Sequence, residues 1–98
     1  TLMAGGLMDL PEEDRDSIDS LVSFAQCTRV FTENKEYSAA TMLERMFEYQ
    51  FKQVSKKFDL EELKPLIAEQ KDRLHDMGYN EDKIAMYCYR RAEDLGVL

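Results

Sequence analysis

Large apolar side chains recur at steps of three and four residues along most of the chain, and this spacing predicts α-helices. The densest run covers residues 38–58, where one wide helical stripe carries six of them: Leu43, Met46, Phe47, Phe51, Val54 and Phe58. A stripe this wide can bury itself against several neighbours. We therefore expect residues 38–58 to form the centre of the fold, with every other helix packed against them. No stretch shows the alternation of apolar and polar residues that is typical of strands.

Caps and charges predict that the first two helices form a hairpin. Asp9 and Glu12 have the spacing of a capping box, and the carboxylates that follow favour the positive end of a helix dipole. The polar link at residues 34–37 is short, which favours antiparallel neighbours. Tyr37 or Ser38 is predicted to start the second helix, and Ser38 is the better N-cap. That helix ends in three cations, which the hairpin would place beside the acidic start of the first helix: Lys52, Lys56 and Lys57.

The second half of the chain has clearer helix ends. Asp59 and Glu62 form another capping-box pattern, and Gly78 suits the left-handed residue that follows a helix. Asn80 is predicted to cap the last helix. Pro65 removes a backbone donor near the start of the third helix, so we expect either a kink there or a helix that begins just before it.

The sequence Met77-Gly78-Tyr79 lies between the last two predicted helices and is followed by Asn80 and Ile84. This arrangement resembles the Met-Gly-Phe/Tyr loop of ubiquitin-associated domains. A glycine followed by an aromatic residue also arises from helix C-capping alone. We therefore assign no family from it.

These patterns together predict an all-α fold, a four-helix bundle made of two helical hairpins. The hairpin Asp9–Phe58 would come first, with the hairpin Asp59–Leu95 packed across it, in a single domain that covers residues 9–98. Residues 1–8 contain the pair Gly5-Gly6. They are expected to be a flexible arm or a remnant foreign to the native protein.

The net charge, the lack of a long apolar run and the two cysteines limit which partner and which cellular location we expect. The formal net charge is −7, which disfavours a nucleic acid, because phosphate binding needs a concentrated basic face. No apolar run reaches the roughly 20 residues that cross a bilayer, so we expect no membrane association and predict a cytoplasmic protein. Cys27 and Cys88 are then expected to be two reduced, buried thiols. A single disulfide between two helices is the alternative.

Nothing in the sequence points to catalysis or to a cofactor. It contains no glycine-rich phosphate loop, no G-x-S-x-G and no C-x-x-C pattern. Asp72 and His75 share one helical turn, but His75 is the single histidine, and di-iron bundles need two such pairs with two further carboxylates. We therefore predict a non-enzymatic protein with no metal. A helical metal or redox protein that uses His75 or the cysteines is one alternative.

Methionine and tyrosine side chains on the second and fourth helices exceed what one core needs, and both are common interface residues. The predicted partner-binding residues are Met42, Met46, Tyr49, Met86 and Tyr89. We expect a small bacterial or phage regulator or inhibitor that docks these anchors, inside an acidic rim, onto another protein of basic character. Self-association into a homodimer or larger oligomer through the second or fourth helix is also expected.

Cations beside tyrosines support a second alternative, a binder of a small anionic or nucleotide ligand. The residues that would hold this ligand are Lys52, Lys56, Lys57, Arg90 and Arg91. Basic residues near the carboxyl ends of helices also offset the helix dipole, and that structural role needs no ligand.

Overall fold

A computed structural model describes residues 6–98 of the chain. In that range the protein has four α-helices and no strand: α1 (Glu12–Glu33), α2 (Tyr37–Ser55), α3 (Leu60–Asp76) and α4 (Glu81–Asp94). A short 3-10 helix, Leu7–Asp9, precedes α1. The predicted all-α bundle of four helices is therefore confirmed.

The first helix, rather than the second, is the centre of the bundle. α1 packs against α2, α3 and α4, whereas α3 and α4 approach each other far less than each approaches α1. Side chains on several faces of α1 are buried: Ile18, Leu21, Val22, Cys27, Val30 and Phe31. The expectation that residues 38–58 would be central is wrong. The wide stripe of α2 is only partly buried, because among the described helices α1 is the one that covers it most closely.

Two groups of buried side chains lie along α1. The first, which we call the disulfide core, joins α1 to α2 and α4 and consists of Cys27, Val30, Phe31, Ala39, Ala40, Leu43, Cys88 and Ala92. The second, the Leu7 core, consists of Leu7, Ile18 and Leu66, with Leu10 and Phe58 packed against it. Leu7 is fully buried, so it belongs to the core and not to an arm. Residues 1–5 of the predicted arm lie outside the described residues.

The ends of α3 and α4 follow the predicted pattern. Asp59 Oδ1 accepts from the backbone N–H of Glu62 at 2.9 Å, and the Glu62 side chain accepts from the backbone N–H of Asp59 at 3.1 Å, which confirms the capping box. Asn80 Oδ1 accepts from the backbone N–H of Lys83 at 2.9 Å. Gly78 follows α3 with φ +89°, the left-handed conformation that glycine adopts without steric cost.

The predicted start of α1 is wrong. α1 begins at Glu12 with Pro11 as its N-cap residue, and within residues 6–98 no side chain caps it. Asp9 belongs instead to the 3-10 helix, where its backbone N–H donates to the carbonyl oxygen of Gly6 at 3.0 Å. That tight turn directs Leu7 into the core, and burial of a leucine outweighs the stabilisation that a capping box supplies.

α2 starts at Tyr37, one of its two predicted positions, but the prediction that Ser38 caps it is wrong. α2 begins at Tyr37, directly after Glu36, and Ser38 lies within its first turn. The turn before it closes because Lys35 adopts φ +62° and the backbone N–H of Glu36 donates to the carbonyl oxygen of Phe31 at 2.8 Å. The geometry of this turn, and not the preference of serine for a cap position, therefore decides where α2 starts.

α3 continues through Pro65. The alternative in which α3 would begin just before Pro65 is wrong, because the capping box at Asp59 already fixes the start. Pro65 lies one and a half turns into α3, so the helix loses a single backbone donor, the one that would reach the carbonyl of Glu61.

Opposite charges meet where the hairpin of α1 and α2 closes. Lys57 Nζ lies 2.7 Å from Asp14 Oδ1 and 3.7 Å from Glu13 Oε1. The end of α2 therefore lies beside the acidic start of α1, as predicted. The hydrogen bond to Asp14, together with the negative charge of that residue, raises the pKa of Lys57 above its ordinary value of 10.5.

Cys27 of α1 and Cys88 of α4 form a disulfide that links positions 61 residues apart in the sequence. The prediction of two reduced thiols is wrong, and the alternative of a disulfide between two helices is confirmed. Their Cα atoms lie 5.2 Å apart, within the range that a disulfide spans. Each residue is only 1% exposed, so the bond lies inside the disulfide core.

Candidate docking groove

An open groove lies between α3 and α4, with α1 as its floor. It exists because both helices pack on α1 without closing on each other. Its volume is about 490 Å³, which lies within the range of protein ligand sites. We call it the α3–α4 groove.

The floor of the groove is one polar stripe of α1. Its members follow helical spacing along about two thirds of α1: Glu12, Arg15, Asp16, Asp19, Ser23 and Gln26. Glu12 and Asp16 are exposed, and neither has an ion-pair partner among the residues that the structure describes. The end of the groove near the start of α1 therefore carries carboxylates that a ligand can reach.

Two hydrogen bonds of Gln70 hold α3 against this floor. Gln70 Nε2 donates to Asp19 Oδ1 at 2.6 Å, and Gln70 Oε1 accepts from Arg73 Nη1 at 3.1 Å. Gln70 is 5% exposed, so the loss of either partner would leave a buried amide unsatisfied. These bonds keep the floor and the α3 wall in a defined arrangement.

A second chain of polar contacts joins α4 to the floor. The hydroxyls of Ser23 and Tyr87 lie 3.4 Å apart, and the Tyr87 hydroxyl accepts from Arg91 Nη1 at 3.1 Å. The Arg91 guanidinium also lies over the ring of Phe24, 5.6 Å from its centroid. The position of Tyr87 in the groove wall is thus set by residues on both α1 and α4.

The other end of the groove is apolar and aromatic. Met77, Tyr79 and Tyr87 line it, and they continue into a shallow depression of about 340 Å³ that also includes Met86. Met77 is 63% exposed and Met86 is 66% exposed. Met8, also exposed, lines the groove beside the start of α1. The groove thus combines accessible carboxylates with unusually exposed large apolar side chains.

The five predicted partner-binding residues do not form one surface. Met42, Met46 and Tyr49 lie together in a shallow depression on α2, which also includes Phe24 and which we call the α2 patch. Met86 lies on α4 at the edge of the α3–α4 groove.

Tyr89 has a different environment from the other four predicted residues. It is half-buried, and its ring packs edge-on against Phe31 with centroids 4.9 Å apart. The side chain of Tyr89 therefore stabilises the disulfide core, and only a small part of it is accessible to a partner.

Sequence reasoning missed Met77, Tyr79 and Tyr87 as lining residues. Met77 and Tyr87 fall on the apolar stripes of their helices, a position that predicts burial in the core, and Tyr79 follows the glycine after α3. The available signal was that Gly78 ends α3 between two large side chains, which places both at a surface turn. Nothing in the sequence shows that α3 and α4 leave a gap between them.

The five predicted anion-binding residues lie in two separate places, the end of α2 and the second half of α4. Lys57 is engaged by Asp14, and Lys56 Nζ lies 3.5 Å from Gln53 Oε1. Arg91 is engaged by Tyr87, whereas Arg90 is exposed beside Met86. The carboxylates next to Lys57 make the end of α2 a poor place for an anion.

The residues that sequence reasoning considered for metal or redox chemistry are also separated. His75 is exposed, and its Nδ1 lies 3.9 Å from Asp76 Oδ1. Among residues 6–98, no group of three or more histidines, cysteines or carboxylates is placed to hold a metal ion.

None of the described helices is long and apolar enough to cross a membrane. Comparison with protein-family models, curated proteins and solved structures finds no match to this chain.

Proposed function

We propose that this protein is a non-enzymatic interaction module, a regulator or inhibitor that docks a helical segment of a partner protein in the α3–α4 groove. The observation that supports the proposal is an open groove whose rim exposes Met77, Met86 and two tyrosines. Methionine adapts its shape to a partner, and tyrosine adds apolar area with a polar tip. Exposed residues of these types mark interaction surfaces more often than catalytic ones.

The chemistry of the groove favours an amphipathic helix with basic residues. Such a helix presents apolar anchors at steps of three and four residues, which suit Met77, Tyr79 and Tyr87. Lysine or arginine on the same segment would then reach Glu12 and Asp16 at the other end of the floor. The net charge of −7 would speed the approach of a basic partner and make binding weaker in salt.

Arg15 and Arg73 also line the groove. They interrupt the carboxylates, so a long uniformly basic segment would meet like charges. The best occupant is therefore a helix with one or two basic residues at one end and apolar anchors at the other. This composition also distinguishes a protein partner from a polyphosphate or a nucleic acid, which the carboxylates repel.

The α2 patch supports self-association as a separate property. Tyr49 is 66% exposed and Met42 is 42% exposed, although both lie beside the partly buried Met46. We propose that a second copy of the chain covers this patch. Each copy would then present its own α3–α4 groove on a different face of the bundle.

We propose an oxidising compartment for the docking form of the protein. The Cys27–Cys88 disulfide is the reason, because thiol buffers in the cytosol keep most cysteines reduced. This proposal replaces the expectation of a cytoplasmic protein, which rests on the absence of an apolar run and from which the reduced thiols were inferred.

The test is affinity capture with matched variants of the oxidised protein. Met77→Glu places a carboxylate among the apolar anchors, whereas Leu60→Glu places the same charge on α3 at an exposed position outside the groove. A partner that uses the groove should bind Met77→Glu about tenfold or more weakly and Leu60→Glu like wild type. Cross-links to the partner should map to α3 and α4, and binding should weaken as salt is raised.

Two results would count against the proposal. One is a captured partner that binds Met77→Glu and wild type equally well. The other is the absence of any protein that distinguishes wild type from Met77→Glu. A partner with no basic helical segment would support docking but contradict the proposed chemistry of the occupant.

A further inference from the structure

We propose that the Cys27–Cys88 disulfide is a latch that holds α4, and with it one wall of the groove, against α1. Reduction would release α4 while α1, α2 and α3 stay folded, so the groove would exist only in the oxidised protein. The latch rests on the packing of α4 alone. Its consequence for docking rests on the function proposed above.

The first observation is that α4 buries little apolar surface. Its two fully buried residues are Cys88 and Ala92, both small. The larger side chains Ile84 and Tyr89 are only partly buried against the disulfide core. A helix of 14 residues is marginal by itself in water and depends on such packing. Without the disulfide, α4 would therefore be the helix that opens most readily.

The second observation is that the hydrogen bond and the ion pair between α4 and α1 are long or exposed. The contact between the hydroxyls of Ser23 and Tyr87 is long, at 3.4 Å. Arg29 Nη1 lies 3.3 Å from Glu81 Oε2, but both side chains are largely exposed, and exposed ion pairs contribute little. The disulfide is the strongest connection between α4 and α1 in the described part of the chain.

The third observation is that α4 is needed for the groove, whereas the opposite wall is held independently. Ile84 and Tyr87 line the groove from α4, and Met86 lies at its edge. α3 is anchored by buried Leu63 and Leu66 and by the bond from Gln70 to Asp19. Displacement of α4 would thus remove one wall and leave the floor and the α3 wall in place.

The chemistry of release is a thiol–disulfide exchange with a small dithiol. The thiolate of the dithiol attacks one cysteine sulfur, which forms a mixed disulfide and frees the other cysteine as a thiolate that takes up a proton. The second thiol of the dithiol then displaces the first cysteine. Two electrons and two protons reach Cys27 and Cys88, and the dithiol leaves as its cyclic disulfide. Because both cysteines are 1% exposed, this attack requires α4 to open first.

The test is hydrogen exchange, measured by mass spectrometry on three forms of the full chain. These are the oxidised wild type, the wild type treated with dithiothreitol, and the double variant Cys27→Ala/Cys88→Ala. Loss of the latch should speed exchange in residues 81–94 by about tenfold or more. Exchange in residues 37–55 should speed up by a clearly smaller factor than exchange in residues 81–94, because α2 keeps its own apolar contacts after the bond is lost.

Either of two outcomes would overturn the latch. Unchanged exchange in α4 after reduction would show that packing alone holds this helix. An equal increase in α2 and α4 would show that the disulfide stabilises the whole fold and not α4 in particular. A double variant that fails to fold belongs to this second outcome.

A binding measurement separates the latch from the proposed function. A partner captured by the oxidised protein should dissociate on reduction and bind again after reoxidation. If α4 exchanges rapidly in the reduced protein but the partner stays bound, the latch stands and the groove is not the docking site. If no partner is captured, the hydrogen-exchange result still decides whether the disulfide holds α4 against α1.

Discussion

α2 and α4 pack on the same central helix, but they are held there by different means. α2 buries Ala39, Ala40, Leu43 and Val54 and is joined to α1 at its far end by the contact between Lys57 and Asp14. α4 buries two small residues and carries a covalent bond. Apolar burial brings α1 and α2 together along their length, whereas a disulfide fixes α4 at one point. The open groove lies on the α4 side of α1, where few apolar side chains are buried.

The comparison predicts that α2 depends on its apolar side chains. Leu43→Ala, at a position that is 1% exposed, should lower the free energy of unfolding by about 2–5 kcal/mol. Denaturant unfolding followed by circular dichroism measures this loss. Glu44→Ala, at the adjacent exposed position outside the α2 patch, is the control and should change stability by less than about 0.5 kcal/mol. Similar losses for the two variants would show that α2 is not held by burial of Leu43.

The covalent attachment of α4 should have the next largest effect on global stability. The double variant Cys27→Ala/Cys88→Ala should lose about 2–4 kcal/mol, because the unfolded chain regains the entropy of a loop spanning 61 residues. Thermal unfolding of this variant and of the oxidised wild type measures the difference. Reduced wild type is the control and should resemble the variant. Equal stability of oxidised and reduced wild type would contradict the importance of the bond.

The α2 patch provides a prediction about the formation of a homodimer. Met42→Ser/Tyr49→Ser should raise the dissociation constant of a homodimer about tenfold or more, because these two side chains are the most exposed apolar residues of the α2 patch. Size-exclusion chromatography with light scattering measures the oligomeric state. Met86→Ser, at the edge of the groove, should leave it unchanged. A wild-type protein that is monomeric at all concentrations would remove the proposed self-association.

The ion pair at the open end of the α1–α2 hairpin should have the smallest effect. The pKa of Lys57 is raised in the folded protein, so the pair contributes fully below about pH 10.5 and is lost as pH rises through the higher folded pKa. The stability difference between wild type and Lys57→Met should therefore shrink at strongly alkaline pH. Lys56→Met is the matched control, because within residues 6–98 Lys56 contacts Gln53 and forms no ion pair with a carboxylate. A difference that does not vary with pH would exclude the pair as its cause.

Local signals predicted the ends of α3 and α4 but not the start of α1 or the N-cap of α2. The caps at Asp59 and Asn80 involve residues three apart, so neighbouring side chains contain the information. The start of α1 depends instead on Leu7, which is buried against Ile18 and Leu66. Contacts between distant residues can outweigh a local capping preference, and no local pattern reveals them.

The candidate site was predicted only in part, for the same reason. The abundance of methionine and tyrosine indicated a surface for a partner, and Met42, Tyr49 and Met86 are indeed exposed. Tyr89 is a tyrosine on a helix, like Tyr49, yet its ring packs against Phe31. The residues that line the groove come from three helices and a turn, so their proximity is a property of packing angles and not of spacing along the chain.

The amino-acid sequence by itself determined the helical class, the number of helices and the meeting of Lys57 with the acidic start of α1. These properties follow from periodic burial and from charges near helix ends, which act over a few residues. Tertiary structure alone decided that α1 is central, that Cys27 reaches Cys88 and that α3 and α4 leave a groove. Each of these depends on how helices pack at a distance along the chain, where many arrangements satisfy the same periodic pattern and only the complete set of contacts selects one.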